Sequence, residues 1–229
     1  MNVSLLIPVK SFRNAKQRLS PLLGVADREI LAETMFRDLL KQSVTARGLK
    51  AVYVVTGDDK VAALAAEFGA QIIREPAENG ETGAVDFARM NLKNRGCEAV
   101  LIIPGDLPLV RAQDIEQVLA QVPSNAAAPF ALLVPSHDRL GTNALVLAPP
   151  DLIKLRFGYD SFTFHMSQVT ALGLPMRFFE NEAIALDIDE PKDLQRFLSY
   201  DFTEGESARL TRALLADQDF QPTRRSGGL

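Results

Sequence analysis

The sequence predicts an α/β fold, a single domain in which a mixed, mainly parallel sheet is flanked by helices. Three runs carry that prediction. Residues 3–9 (VSLLIPV), 51–56 (AVYVVT) and 99–104 (AVLIIP) are β-branched and apolar almost throughout, the pattern of strands covered on both faces. Between them, residues 26–44 and 59–70 place apolar side chains at helical spacing, and 81–96 gives a third helix with Gly96 at its end. The order is βαβαβ. Such crossovers are right-handed, so ligands gather outside the carboxyl ends of the strands.

After Asp106 the pattern loosens. Residues 112–122 read as a helix, 130–135 and 143–149 as strands, and 160–173 as another helix. The runs 176–180 (MRFFE) and 183–189 (AIALDID) are strand-like, and 190–200 forms a helix with Pro191 at an early position, where its missing N–H is harmless. The main domain is expected to span 1–200. A helical extension follows over 201–229, with one helix at 206–217 and a tail, QPTRRSGGL, that has no apolar pattern and should fray.

With 229 residues and 47% hydrophobic content, the chain can bury one substantial core. The opening MNVSLLIPVK is too short for a secretory apolar segment, and no 18-residue apolar run occurs, so a cytoplasmic protein with no membrane partner is expected. A net charge of −4 and the absence of tryptophan argue against a nucleic-acid partner, which calls for a basic stripe and stacking platforms. One cysteine, Cys97, and two histidines, His137 and His165, make no soft-ligand set for zinc.

Against that acidic background, residues 7–20 (IPVKSFRNAKQRLS) gather Lys10, Arg13, Lys16 and Arg18 where the first strand ends. The loop has no glycine, so it is neither a Walker A loop nor a dinucleotide fingerprint. Lys10, Lys16 and Arg18 can converge on a polyphosphate, Arg18 as a two-pronged donor and the lysines as point charges; a solvated basic loop is the plainer alternative. In PGDLP, Asp106 emerges directly after a buried strand. In ALDIDEP, Asp187 and Asp189 share one face of an extended segment. Carboxylates from separate loops form a hard-oxygen site suited to Mg2+. Asp106 as a turn cap and Asp189 as a helix N-cap are the competing readings. Thr142 and Asn143 in RLGTNAL, with Gly158 and Ser161 in FGYDSF, suggest an anion site at a helix start, although Ser161 or Asp160 could serve as a simple cap. His165 lies one turn beyond and could face the same pocket or be structural.

Taken in order, IPVKSFRNAKQRLSPLL, VVTGDD, PGDLPLV, GTNALVLAPP, FGYDSF and ALDIDEPKDL resemble the 2-phospholactate/phosphoenolpyruvate guanylyltransferase family of deazaflavin coenzyme F-420 biosynthesis, over residues 3–198. The resemblance implies a GT-A-like nucleotidyltransferase fold, GTP as donor, Mg2+ as cofactor and a small phosphorylated carboxylic acid as acceptor, with a homodimer left open. It implies Asp106, Asp187 and Asp189 as metal ligands, Thr142, Gly158 and Ser161 at the acceptor, and Lys10, Lys16 and Arg18 at the triphosphate. Where relatives carry a GLN-type segment near base and ribose, this chain reads EPAENGETGAVDFA, so Glu81 adds an acid. The sequence leaves three acceptors open: phosphoenolpyruvate, 2-phospho-L-lactate and 3-phosphoglycerate. The rival readings are a molybdopterin guanylyltransferase, a sugar-acid cytidylyltransferase, or a nucleotide sensor without turnover.

Overall fold

The computed structural model describes residues 1–77, 79–124, 128–201, 203 and 205–216. Four parallel strands form one side of its sheet: β1 (Val3–Pro8), β2 (Leu49–Thr56), β3 (Gln71–Arg74) and β4 (Ala99–Ile102). The other side is antiparallel, where β5 (Phe130–Pro135) pairs with β6 (Thr142–Ala148) and β6 with β4. The spatial order is β3-β2-β1-β4-β6-β5. The chain winds outward from β1 through β2 to β3, then returns to place β4 on the opposite flank of β1. A crevice opens at that reversal, outside the ends of β1 and β4.

Alternation within β1 explains its central place. Val3, Leu5 and Ile7 enter one apolar cluster and Leu6 the other, all nearly without solvent exposure. Helix α1 (Val25–Thr45) covers the first face with Phe36, Leu39 and Leu40, while α3 (Gly80–Asn94) covers the second with Val85, Ala88 and Leu92. Helices α2 (Asp59–Glu67), α4 (Ala112–Ala120) and α5 (Ser161–Ala171) complete the layers. A third cluster joins Leu31 and Met35 of α1 to α6 (Pro191–Ser199) and α7 (Glu206–Ala216). Asp38 ties down the start of α7 by accepting from the Ser207 backbone N–H at 2.9 Å and the Ser207 hydroxyl at 2.6 Å. The helix expected at 206–217 is thus α7, docked on α1; the tail 221–229 lies outside the described residues.

Some expectations required correction. Strand β3 escaped the sequence pattern because it is a four-residue edge on which only Ile73 is buried, too short for an apolar run. MRFFE makes one bridge, Phe178 to Leu133, with hydrogen bonds from Leu133 N–H to Arg177 O and from Phe179 N–H to Leu133 O. The next β5 donor on that edge would be Pro135, which has no N–H, so no ladder extends. AIALDID alternates as expected, with Ile184, Leu186 and Ile188 inward, yet forms no strand. Its backbone groups bond to loops instead: His137 N–H to Ala185 O at 2.9 Å, and Ile188 N–H to Asp106 O at 3.4 Å.

Candidate active site

The basic loop leaves β1 with Phe12 buried against Phe36 as its anchor, ring centroids 6.0 Å apart. Buried Arg28 on α1 donates from Nη1 to Leu23 O at 2.7 Å, holding the far end of the loop. With no glycine available, Asn14 and Lys16 take the left-handed conformation, φ 56° and 52°. For lysine that costs roughly 1–2 kcal/mol, a strain retained only where the surroundings enforce it. Here they aim the side chain inward. Lys16 Nζ donates to Asp106 Oδ2 at 2.5 Å and to Asp189 Oδ1 at 3.0 Å. Burial disfavours its charge, but the carboxylates of Asp106 and Asp189 outweigh that and hold the ammonium well above the ordinary lysine range.

Asp106 sits in the turn after β4, and Gly105 lets that turn close: a Cβ there would stand 2.5 Å from Val9 Cγ2. Among the described residues the buried Oδ1 of Asp106 has no hydrogen-bond partner, so the aspartate is no turn cap. Asp189 is no N-cap either. Glu190 takes that place on α6, and Asp193 Oδ2 accepts from the Glu190 and Asp189 N–H groups at 2.7 and 3.1 Å. Asn143 holds Asp187 by donating to its Oδ1 at 3.1 Å. Burial and then the Asp106 charge push Asp187 up to about 6 despite that hydrogen bond. Asp189 goes the other way: burial is outweighed by Lys16 and Arg18, and its carboxyl lies below the usual range.

Two clefts meet over these acids. The first, of about 670 Å³, is lined by the basic loop, including Lys10, Arg13 and Lys16, with Glu75 and Gly105. The second, of about 640 Å³, is lined by Ser136, Thr142, Asn143, Gly158, Ser161 and Asp187, among others. Arg18, Glu81, Pro104, Asp106 and Asp189 belong to both. Arg18 is 70% exposed and 3.7 Å from Asp189 Oδ2, so it stands at the rim.

In the second cleft, Gly158 has φ +96° with open space beside it, a conformation other residues resist. Ser161 and Thr142 are buried, and Ser161 Oγ accepts from the Thr142 N–H at 3.0 Å. Asp160 has no side-chain capping bond to α5. The structure therefore brings all nine expected residues to one double cleft, with Lys10, Arg18 and Gly158 exposed.

Sequence reading placed Asn143 only in the prospective anion site and took Glu81 as an extra acid in the segment that relatives set near base and ribose. Glu81 stands in the shared wall, where burial and then the Asp106 charge, against Lys16 and Lys10, push its carboxyl up to about 7. The only signal for it was the extra acid in ENGET. Among the described residues no three acidic, histidine or cysteine side chains converge as a metal cage. The site nonetheless suits a hard cation: it holds a partnerless carboxylate oxygen, two acids pushed towards protonation, and an ammonium between two others. A divalent ion bound through one or two carboxylates and substrate phosphates needs no all-protein cage.

The doubly wound sheet, with a basic and a polar cleft joined over acids at the switch point, defines a nucleotidyltransferase. A solved structure described as a nucleotide-diphospho-sugar transferase from Desulfovibrio desulfuricans G20 shares the fold, with TM-score 0.76 and 16% identity over 96% of this chain and 100% of that one. Phosphoenolpyruvate guanylyltransferase of Conexibacter woesei is 32% identical over 215 residues, 94% of this chain and 96% of the relative. The 2-phospho-L-lactate guanylyltransferase of Methanothermobacter thermautotrophicus is 31% identical, covering 91% and 89%. The 3-phospho-D-glycerate guanylyltransferase of Phenylobacterium zucineum is also 31% identical, covering 93% and 94%. The family described as "Guanylyl transferase CofC like" matches residues 3–219, and the chain belongs to it. The match takes in α7, and the rival readings are not favoured. Among the described residues, no helix is long and apolar enough to cross a membrane.

Proposed function

We propose that the protein transfers GMP from GTP to the phosphate of a small phospho-carboxylic acid, phosphoenolpyruvate, 2-phospho-L-lactate or 3-phosphoglycerate, as a step towards coenzyme F-420. The observation that carries this reading is the wall of Asp106, Asp189, Arg18 and Glu81 shared by a basic cleft and a hydroxyl-lined one. Triphosphate enters over Lys10, Lys16 and Arg18, and the acceptor sits against Thr142, Gly158 and Ser161.

An acceptor phosphate oxygen forms the new bond to the α-phosphorus; the bond from α-phosphorus to the bridging oxygen breaks, and pyrophosphate leaves. The nucleophile is ionised near neutral pH, so the residues act mainly by positioning and charge. Lys16 neutralises the leaving group once it releases the carboxylates, with Lys10 and Arg18 assisting from the rim. Asn143 keeps Asp187 aimed inward. Mg2+, held by Asp106, Asp187 and Asp189, would supply charge neutralisation at the α-phosphate. The protein acts in the cytoplasm.

The test is pyrophosphate release with the three acceptors crossed against GTP, ATP and CTP, with and without Mg2+. Release with GTP and at least one acceptor is expected. No release with any combination would overturn the reading in favour of a sensor.

A further inference from the structure

Behind the acceptor cleft, one buried side chain sets the polarity of a hydrogen bond to a threonine hydroxyl. His165 is 0% exposed and lies one turn after Ser161 on α5. The Arg156 backbone N–H donates to its Nε2 at 3.2 Å, and its Nδ1 lies 3.0 Å from Thr142 Oγ1. Burial, then the charges of Arg156 and Arg89, push the ring down to about 4, and the Phe157 and Phe164 rings meet it edge-on. A neutral imidazole has one ring hydrogen. Because a backbone N–H can only donate, Nε2 accepts and the hydrogen stands on Nδ1. Nδ1–H therefore donates to Thr142 Oγ1, which leaves the threonine's own hydrogen for another acceptor. Ser161 Oγ likewise accepts, here from the Thr142 N–H, and keeps its own hydrogen for another acceptor. Among the described residues, neither hydroxyl donates to a protein acceptor, and both residues line the cleft.

We propose that His165 is a positioning residue for the acceptor: its Nδ1–H bond to Thr142 occupies one lone pair of the threonine oxygen and keeps the hydroxyl hydrogen free to be donated into the cleft. The cleft then selects ligands presenting an anionic oxygen there over ligands presenting an N–H or O–H. A carboxylate accepts that hydrogen, whereas a carboxamide turning its NH2 inward leaves the hydroxyl hydrogen without an acceptor. The inference rests on the acceptor assignment made above.

Two measurements decide it. With two histidines in the chain, nitrogen-15 imidazole spectra at pH 7 separate His165 from His137 once His165→Asn removes one set. The neutral Nδ1–H tautomer is expected; an Nε2–H tautomer or a charged ring overturns the proposal. In kinetics, His165→Leu should raise the KM of the best acceptor about tenfold while that of GTP stays within about twofold. His165→Asn, whose amide restores a donor near the Nδ1 position, should recover most of the loss. Equal rises in both KM values, or no recovery with asparagine, would mark a merely structural histidine. If the unaltered protein turned over no acceptor at all, the assignment of the cleft would fail, while the tautomer would still decide the hydrogen-bond polarity.

Discussion

Lys16 Nζ lies 2.5 Å from Asp106 Oδ2 across 90 positions of chain, and the same ammonium reaches Asp189 at 3.0 Å. It stands where a divalent ion would otherwise neutralise those acids. Lys16→Met should therefore strengthen Mn2+ binding in the absence of nucleotide and lower turnover by about a hundredfold or more, since a cation at the triphosphate is lost. Calorimetric titration with Mn2+ and pyrophosphate release check the two halves; Mn2+ binding no tighter than in the unaltered protein would refute the placeholder role.

Asp106→Asn removes a charge but little volume. Turnover should fall by at least about a hundredfold, while the circular dichroism spectrum and cooperative melting persist. Undiminished activity would remove Asp106 from the mechanism.

Ser161→Ala and Thr142→Ala each delete one hydroxyl from the second cleft. The acceptor KM should rise about tenfold, and more than the GTP KM. Steady-state kinetics with each substrate varied in turn would place Ser161 at the donor if the pattern were reversed.

Gly105→Ala drives a methyl group towards Val9 Cγ2, with 2.5 Å available. Overpacking of this kind costs about 1–3 kcal/mol, so the melting midpoint should drop by several degrees. Activity should fall as well, because the displaced turn carries Asp106. A midpoint unchanged in a melting scan would mean the turn is more yielding than its packing indicates.

For pH, His165 ordinarily titrates near 6.5 and is pushed down to about 4 in the fold by burial, Arg156 and Arg89. Between those values the unfolded chain binds the proton and the folded one does not, so stability decreases as pH falls from about 6.5 towards 4. Melting midpoints should decline faster for the unaltered protein than for His165→Asn over that range. Parallel declines would show that the ring is charged in the fold.

Much of the fold was legible because burial on both faces leaves a local mark: β1 and β4 are runs with scarcely a polar residue, and β2 is apolar towards its buried end, Val54–Thr56. Strand β3 left no such mark, having one buried side chain. AIALDID shows the limit in another way, since alternation reports which side chains turn inward but not whether a neighbouring strand offers partners. Its backbone found loops instead.

Of the site, the residue types at the strand ends were readable: cations after β1, Asp106 after β4, and two acids and two hydroxyl residues further on. Their chemistry depends on side chains alone, so the sequence determined that an acidic, anion-handling nucleotidyltransferase cleft was encoded. Tertiary structure decided who meets whom. Lys16 between Asp106 and Asp189, Asn143 on Asp187, Glu81 in the shared wall and His165 behind Thr142 are contacts across long stretches of chain. Distance and direction between such groups are set by how the layers pack, and no local pattern records them.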